Sequence, residues 1–557
     1  MGLEDPSGGF YGGTDGFGRI LREEPRGTIL NARILWAFSA SFRTLGNLDY
    51  LDVATRAYDW FVSHFIDPEH GGVYWSVSPS GEPLETKKQL YSQGFAIYGL
   101  SEYALACADA GRDSDYSGTC ADAGRASDCS GTCTDAGRAS DCSGTCADAG
   151  RDSDYSGTCA DAGRDSDYSD TCADAGRREA ALRSLREAVS LFECVEAHFA
   201  DADYGGYTEA LARDFSPLSD MSLSAHDINA DKTMNSHLHL LEAYATLLRA
   251  LTALQDVSGP YVSAQTIDIV RERVEALLEI VTGKVMGPDG HLRLYFNQDW
   301  SVIPGAVSYG HDIETSWLAL ECAQAVDASR GRCSAGNGSR GCGSGGCGSK
   351  GCGSKGDVSP GGGPSSLAAG SSSPGAGPSS LAAGSAVSRV LPAALAMGLA
   401  GNEGLAPDGS MYYELLPSGK LDDSRQWWVQ AEAVVGNLWL WKHHGLDDGL
   451  QNALAAWQFI RSNLVDKTHG EWFWGLDPAA APGPAPVGPD PDTKAPDVGP
   501  APEAAGLVPE TKAPAAGPAP ETAGLIPDTK SPKAGFWKCP YHNTRMCLEA
   551  LKILRSI

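Results

Sequence analysis

The feature that most constrains the fold of this chain is a short glycine-plus-aromatic motif that recurs six times. The copies read GGFYG, GGVYW, GGYTE, GHLRLYF, GSMYYE and GEWFW, and they begin at Gly8, Gly71, Gly205, Gly290, Gly409 and Gly470. Glycine opens a tight turn and aromatic residues favour strands, so each copy predicts a small β-hairpin. Once low-complexity segments are discounted, the copies lie about sixty to eighty-five residues apart, which is typical of a repeat architecture.

Between the hairpins, apolar residues recur with the period of an α-helix. The pattern predicts eleven helices, near residues 28–45, 49–66, 88–106, 178–200, 231–256, 261–282, 311–327, 385–401, 426–443, 447–463 and 540–556. Six repeats of two helices would give twelve, and the missing helix would precede Gly8, before which only seven residues remain. We therefore predict an all-α (α/α)6 barrel with short hairpins in its loops, apolar inner helices and amphipathic outer ones.

Three low-complexity segments interrupt this pattern, at about residues 107–177, 329–384 and 478–533. The first repeats ADAGRDSDYSGTC, the second GCGSK and GPSSLAAGS, and the third P-(E/D)-T-K-(A/S)-P. None has enough apolar residues to offset the entropy lost on ordering, so we predict disordered insertions in a single domain spanning residues 1–557. The cysteine spacings in the first two match no zinc-ligand pattern, and we predict no metal site.

The formal net charge of −28 argues against binding to nucleic acid or to anionic membranes and favours neutral or small partners. The sequence contains no apolar stretch of about 18 residues that would span a bilayer. Its start, MGLEDPSGGF, has neither the basic nor the apolar region of a signal peptide. We expect a cytoplasmic monomer whose 16 cysteines are mostly reduced.

The first cluster of chemistry-bearing side chains is MNSHLHLLEAY, residues 234–244. Asn235 and His239 are four residues apart and share one helix face, whereas His237 points elsewhere. The two histidines are therefore poorly placed to chelate one ion. For His237 the preferred interpretation is a core histidine with satisfied hydrogen bonds.

The second cluster is SYGHDIETSWL, residues 308–318, in which His311, Glu314 and Trp317 follow at three-residue steps. A histidine, a carboxylate and an indole on one face suit a sugar, and the alternative is a helix end with a buried tryptophan. Near the N-terminus, Arg33 and Tyr91 add a cation and a phenol.

Two more clusters contain paired or isolated aromatic residues. In RQWWVQAEAVVG, Trp428 and Glu432 share a helix face, and the alternative for Trp427 is core packing. In WKCPYHNTRM, Pro540 suits the first turn of the last helix, and Trp537 and His542 would stand at its mouth.

Seven segments together resemble the cellobiose 2-epimerase family, a branch of the wider N-acylglucosamine 2-epimerase group. They read NARILWAFSASFR, GGVYWSV, KKQLYSQGFAIYGLSEY, KTMNSHLHLLEAY, SYGHDIETSWL, QWWVQAEAVVGN and WKCPYHNTRMCLE, and they cover nearly all of the chain outside the insertions. The family's barrel usually has a helix before GGFYG, which this sequence lacks, and the three insertions are foreign to the family pattern.

The resemblance implies an activity and a set of site residues. The activity is reversible C2 epimerisation of the reducing-end glucose of cellobiose, and of related disaccharides such as lactose or mannobiose, without a metal or nucleotide cofactor. His311 and His542 look like the two proton-handling histidines, and His239 like a third histidine of the pocket. The groups that resemble substrate-binding ones are Arg33, Tyr91, Asn235, Glu314 and Glu432, and the stacking platforms are Trp317, Trp428 and Trp537.

The chemistry of the reaction fits these residue types. C2 of an aldose is acidic only when the ring is open, and histidine transfers protons efficiently near neutral pH. Arg33 is suited to stabilise negative charge at O1, and Glu314 either orients His311 or binds a hydroxyl.

Three alternatives remain open from the sequence. A mannose isomerase or an N-acylglucosamine 2-epimerase would share the fold. A glycoside hydrolase would use Glu314 and Glu432 as its two carboxylates and leave the histidines without a role. A non-catalytic sugar-binding protein is the third alternative.

Overall fold

The computed structural model describes residues 3–111, 166–224, 227–256, 262–336, 384–478 and 524–557. Within these ranges the chain is mostly helical, with short strands in the connections between helices. The three predicted insertions lie largely outside the described residues. Residues 3–25 contain no helix, and Phe10 in this segment is fully buried.

The eleven helices predicted from the apolar pattern are present in the described ranges. They are α1 Thr28–Leu45, α2 Leu48–His64, α3 Leu90–Ala110, α4 Ser166–His198, α5 Met234–Leu254, α6 Ala264–Ile280, α7 Tyr309–Gly336, α8 Ala386–Gly401, α9 Trp427–His444, α10 Asp447–Phe459 and α11 His542–Arg555. Helices α6 and α10 each continue into a π-helical turn, at Val281–Val285 and Ile460–Leu464. None of the helices in the described ranges is both long enough and apolar enough to cross a bilayer.

The strands are short and pair in an antiparallel manner. They are β1 Arg26–Gly27, β2 Ser76–Val77, β3 Pro83–Glu85, β4 Lys88–Gln89, β5 Ala210–Leu211, β6 Lys232–Thr233, β7 Tyr295–Phe296, β8 Val302–Ile303, β9 Val307–Ser308, β10 Glu414–Leu415, β11 Leu421–Asp422, β12 Arg425–Gln426, β13 Gly475–Pro478 and β14 Leu525–Pro527. The sheets have the orders β1-β2-β3, β4-β5, β6-β7-β8, β9-β10-β11 and β12-β13-β14. In each sheet the first strand leads directly into an odd-numbered helix and pairs with the strand that follows the next even-numbered helix.

The odd-numbered helices contact one another in a closed sequence. Each of α1, α3, α5, α7, α9 and α11 contacts the next, and α11 contacts α1. Helices α2, α4, α6, α8 and α10 each pack against the odd-numbered helix that precedes them. Helices α3 and α5 are buried on nearly all sides, whereas α2 and α6 bury a single apolar face. Two odd-numbered helices are therefore apolar on nearly all sides and two even-numbered helices are amphipathic.

Each glycine-plus-aromatic motif forms the predicted small hairpin. The six antiparallel bridges join Glu4 to Phe10, Ile66 to Val73, Ala200 to Tyr207, Met286 to Leu292, Leu405 to Met411 and Val465 to Trp472. Gly71 and Gly409 adopt φ angles of 80° and 84° in their turns. Only glycine adopts such angles without steric cost, which explains why the motif keeps this residue.

A buried ion pair ties most of these hairpins to the start of an inner helix. The aspartate lies at the hairpin turn, and in four cases its partner stands two residues before the helix begins. These pairs are Asp5–Arg26, Asp67–Lys88 at 2.9 Å, Asp201–Lys232 at 2.7 Å and Asp408–Arg425 at 3.8 Å. At α7, His291 pairs instead with Asp312 at 2.7 Å, and at the last hairpin Asp466 pairs with Lys533 at 2.7 Å.

Replacing Lys88 with methionine should lower the free energy of unfolding by about 3 kcal/mol at pH 7, because the buried Asp67 carboxylate then loses its fully buried cation and keeps only the partly exposed Arg213. Burial raises the pKa of Asp67, but hydrogen bonds from Arg213 and Lys88 outweigh burial and hold that pKa well below its usual value. A carboxylate of this kind stabilises the fold above its unfolded pKa of about 4 and loses that contribution as the pH falls towards its folded pKa. The difference between wild type and variant should therefore narrow below about pH 4. Denaturant unfolding at pH 7 and pH 3 measures this difference in the free energy of unfolding. Lys420→Met, at an exposed position, is the control, and its free energy of unfolding should change little.

The first insertion is expected to be dispensable for folding. Helix α3 ends at Ala110, α4 begins at Ser166, and Arg177 Nη1 donates to the Ala110 carbonyl at 3.3 Å, so the two helices are held together beside the segment that separates them. Replacing residues 112–165 with a flexible Gly/Ser linker should leave the melting temperature nearly unchanged, because loop length affects closure entropy only weakly. A drop of ten degrees or more would show that these residues pack on the helices.

Candidate active site

A cavity of about 320 Å³ lies at the N-terminal ends of the six odd-numbered helices. Nine of the predicted site residues line it, namely Arg33, Tyr91, Asn235, His239, His311, Glu314, Trp428, Trp537 and His542. Each helix presents these residues within its first two turns or just before it begins, because a short strand and a hairpin fix its start. The positive ends of six helix dipoles therefore converge on the cavity and favour negative charge there.

His542 is held by a buried carboxylate. Its Nδ1 lies 2.8 Å from Oε1 of Glu432, which is fully buried on α9. A carboxylate only accepts hydrogen bonds, so Nδ1 carries the proton and Nε2 is left as a base. Burial and then the nearby Arg545 cation lower the pKa of His542 well below its usual value, which keeps the ring neutral at pH 7.

His239 is held in the same way by a different carboxylate. Its Nδ1 lies 3.0 Å from Oε2 of Glu242, one turn further along α5. Burial raises the pKa of Glu242, but Arg545, His239 and Tyr541 outweigh it and bring the value to about 2, so the acid is ionised. The two pairs His542–Glu432 and His239–Glu242 are called the two dyads below.

His311 has a neutral partner instead. Its Nδ1 lies 2.8 Å from the Ser308 hydroxyl, and burial lowers its pKa to about 4. Glu314 does not hydrogen-bond to His311; it accepts from Arg545 Nη2 while it lines the cavity. The ring of Trp428 lies 4.6 Å from that of His311 and 5.8 Å from that of His542, so one indole adjoins both histidines.

Arg33 and Asn235 present unpaired polar atoms. Arg33 Nη2 donates to the Tyr91 hydroxyl at 2.8 Å and Nη1 to the Trp537 carbonyl at 3.2 Å, while Nε has no partner in the described residues. The Asn235 Oδ1 atom is likewise buried and without a partner there. Buried polar atoms are rarely left unsatisfied, so both are suited to bind ligand oxygens or hydroxyls.

Two predicted site residues lie beneath the cavity rather than on its wall. Trp317 is almost fully buried and donates from Nε1 to Glu432 Oε2 at 3.1 Å, and the Arg545 guanidinium lies 4.9 Å from its ring. Trp317 therefore supports the floor and offers no face to a ligand in the cavity. Glu432 likewise contacts His542 and Arg545 below the cavity surface.

The contacts of His237 confirm that it is a core histidine. Its Nδ1 lies 2.7 Å from the Thr233 carbonyl, and its Nε2 accepts from the Tyr207 amide at 3.0 Å. Both nitrogens are satisfied, and the ring does not line the cavity.

Three residues of the floor were not singled out from the sequence, namely Glu242, Tyr541 and Arg545. Glu242 stands three residues after His239, and Arg545 three after His542, so helical spacing is the signal that points to both. Tyr541 donates to Glu242 at 2.8 Å.

One group in this floor has the composition of a metal site. Ligand atoms of Glu314, Glu432 and His542 lie within 4.8 Å of one another. Arg545 Nη2 donates to both glutamates, at 2.7 Å to Glu432. A guanidinium thus already supplies the positive charge that two buried carboxylates require.

A second cavity, of about 580 Å³, lies at the C-terminal halves of the same helices. Its wall includes Trp36, Glu102, Arg249, Lys442 and Lys552. Arg545 lies on this wall too, so the floor of the first cavity separates the two spaces.

Comparisons with known proteins agree on one group of relatives. The family model described as N-acylglucosamine 2-epimerase matches residues 9–121 and 381–489. A cellobiose 2-epimerase of Bacteroides fragilis is 31% identical over 99% of this chain and 93% of its own length, and one of Dictyoglomus turgidum is 25% identical over the same shares. Among solved structures, the cellobiose 2-epimerase from Spirochaeta thermophila is 26% identical with a TM-score of 0.61, covering 100% of this chain and 92% of that one.

Proposed function

The chain belongs to the cellobiose 2-epimerase family of carbohydrate epimerases, and we propose that it inverts C2 of the reducing-end glucose of cellobiose to give 4-O-β-glucosyl-mannose. The observation that carries this proposal is one cavity with three histidines on its wall, two of which have a carboxylate at Nδ1. That carboxylate leaves Nε2 as the basic nitrogen of each ring. Lactose and mannobiose offer the same reducing-end chemistry and are included in the proposed substrate class.

We assign the helices to an (α/α)6 barrel. The closed sequence of contacts among the odd-numbered helices supports this assignment, as does the packing of each even-numbered helix on one of them. In such a barrel the cavity is the mouth at the N-terminal ends of the inner helices.

The proposed reaction begins with the open-chain sugar, whose C1 carbonyl makes the C2 proton acidic. His542 and His311 adjoin the same indole. In this proposal the neutral Nε2 of one histidine removes the C2 proton, and the other histidine, which takes up a proton from water as the negative enediolate forms beside it, returns that proton to the opposite face. The first histidine then releases its proton to water, so both rings are neutral again. The negative charge of the enediolate develops near Arg33 and the helix N-termini, which stabilise it without moving. His239, held by Glu242, is available for the proton transfer between O5 and O1 that opens the ring.

The rest of the cavity wall offers aromatic and polar surface for a second sugar ring. Trp428 and Trp537 offer two aromatic faces, and the outer wall adds Tyr295, Tyr413 and Glu414. Aromatic faces and polar groups of this kind bind a sugar ring by stacking and hydrogen bonding.

The hydrolase alternative is disfavoured by the position of the carboxylates. Glu314 and Glu432 both accept hydrogen bonds from the same guanidinium nitrogen of Arg545, and Glu432 does not line the cavity. A glycosidase needs two carboxyl groups that flank the scissile bond.

Product analysis tests the proposal. Purified protein incubated with cellobiose should form glucosyl-mannose, detected by NMR or by chromatography against standards. Free glucose would instead indicate hydrolysis, and a ketose would indicate reprotonation at C1. Parallel incubations with lactose, mannose and N-acetylglucosamine separate the disaccharide epimerase from a mannose isomerase or an N-acylglucosamine 2-epimerase. Binding of cellobiose without any product would mark a non-catalytic protein.

A further inference from the structure

A single guanidinium lies between the two dyads. Arg545 Nη1 donates to Glu242 Oε1 at 2.9 Å, and Nη2 donates to Glu432 Oε1 at 2.7 Å and to Glu314. The Arg545 side chain is almost fully buried beneath the cavity. The carboxylate of each dyad therefore shares the same cation.

Each dyad carboxylate also accepts a hydrogen bond from an aromatic side chain. Trp317 Nε1 donates to Glu432 at 3.1 Å, and the Tyr541 hydroxyl donates to Glu242 at 2.8 Å. Arg545 contacts those two aromatic rings as well, with its guanidinium carbon 4.9 and 4.5 Å from their centres. These hydrogen bonds and ring contacts hold the planar guanidinium in one orientation, with its N–H groups directed at the glutamates.

We infer that Arg545 is a positioning residue for both dyads, because it keeps Glu242 and Glu432 ionised and oriented as acceptors of their histidines' Nδ1 protons. The inference rests on the proposed function for its catalytic meaning, although the arrangement of protons can be tested without substrate. Nothing in the chemistry requires Arg545 to touch the sugar. It acts on His239 through Glu242 and on His542 through Glu432, and its Nη2 also lies 3.5 Å from His542 Nδ1.

Arg545 keeps the two glutamates ionised for an electrostatic reason. Titratable and charged groups face this region from every inner helix, namely Arg33, Tyr91, His239, Glu242, His311, Glu314, Glu432, Tyr541, His542 and Arg545. Three of them are carboxylates, and Arg545 is the cation that hydrogen-bonds to all three. Burial raises the pKa of Glu432, and Arg545 opposes that rise.

Loss of the shared cation should reverse the tautomers. A glutamate that takes up a proton becomes a donor, and it then donates to Nδ1 of its histidine. The histidine proton moves to Nε2, so the atom that faces the cavity ceases to be a base. One substitution on α11 should thus disable two histidines on different helices.

Lysine should be a poor substitute for Arg545. Its ammonium is a point charge on a flexible stem, whereas the three acceptors lie around a planar fork. We expect Arg545→Lys to lower kcat by more than about tenfold while KM changes less than about threefold, since the cavity wall is left intact. Arg249→Lys is the matched control, because Arg249 is a partly buried arginine paired with Glu321 at 3.1 Å on the wall of the second cavity.

The decisive readout is the nitrogen NMR spectrum of ring-labelled histidines, recorded without substrate. Wild type should show protonated Nδ1 at both His239 and His542 at pH 7. Glu242→Gln should disturb only His239, Glu432→Gln only His542, and Arg545→Lys both, while Arg249→Lys should disturb neither.

Several results would overturn the inference. One is a folded Arg545→Lys protein with unchanged tautomers and unchanged kcat, and another is an effect on one histidine alone. A wild-type spectrum with Nε2 protonated at His239 or His542 would also overturn the inference, and this result does not depend on the folding of any variant. A protein that fails to epimerise cellobiose but shows the expected tautomer pattern would refute the proposed function and leave the role of Arg545 supported.

Discussion

Replacing His542 with alanine should lower kcat for cellobiose by at least about a hundredfold, which corresponds to about 2.7 kcal/mol of activation free energy. The imidazole lines the cavity, its Nδ1 is fixed by Glu432 at 2.8 Å, and its Nε2 is the base left free for C2. KM should change much less, because Arg33, Asn235 and the indoles that are proposed to hold the sugar remain. Initial rates measured across a range of cellobiose concentrations separate the two parameters.

His237→Ala is the control for this experiment. His237 lies on the same helix as His239, but both of its nitrogens are used within the fold, and it does not line the cavity. Its removal should lower the melting temperature and leave kcat of the folded fraction close to that of wild type. If His237 were essential and His542 dispensable, the assignment of the proton-handling groups would be wrong.

The product formed in D₂O should carry nearly one deuterium per molecule at C2 and almost none at C1. Two histidines on α7 and α11 act from opposite faces in the proposed reaction, so the proton removed and the proton returned belong to different groups. Each ring exchanges its proton with water between turnovers. Proton NMR of the isolated epimer measures the loss of the C2 signal directly.

The same experiment discriminates between mechanisms. Product without deuterium would indicate an internal hydride shift, oxidation and reduction, or one shielded base that returns the proton it took. Deuterium at C1 of a ketose would indicate the isomerase alternative. A reaction abolished by EDTA and restored by zinc or manganese would revive a metal role for the histidines.

Much of the scaffold follows from local patterns in the sequence. The six glycine-plus-aromatic motifs and the helical periodicity between them depend on neighbouring residues, so the hairpins and most of the helices are recovered within a few residues. Helix α4 begins twelve residues before its predicted start and α7 ends nine residues after its predicted end, because both extend into segments that composition assigned to the insertions. The clusters that contain His239, His311 and His542 lie at helix starts, and helix starts are marked by the hairpin strands. Their convergence on one cavity follows from the repeat, because equivalent positions of a repeat occupy equivalent places.

The floor of the cavity could not be predicted in the same way. Helical spacing places Arg545 on the same face of the last helix as His542, but its contacts with Glu242, Glu314 and Glu432 depend on how three other helices pack around it. Trp317 shares a helix face with His311 and Glu314, but it lies one turn further along α7, and its side chain lines the second cavity and not the first. Whether a side chain reaches the cavity or lies beneath it depends on how the helices pack together, and the local sequence does not show it.

The two ends of the inner helices offer different opportunities to an engineer who wishes to attach a reporter to this protein. Helix α3 ends at Ala110, beyond the second cavity, so a fluorescent domain grafted in place of residues 112–165 would stand on the far side of the floor from the first cavity. Pro478 of β13 pairs with Leu525 of β14 in the sheet that also contains β12, the strand leading into Trp427 and Trp428 on the cavity wall. A domain grafted between those two strands would therefore stand next to the first cavity, whereas the first graft would stand at the opposite end of the helices.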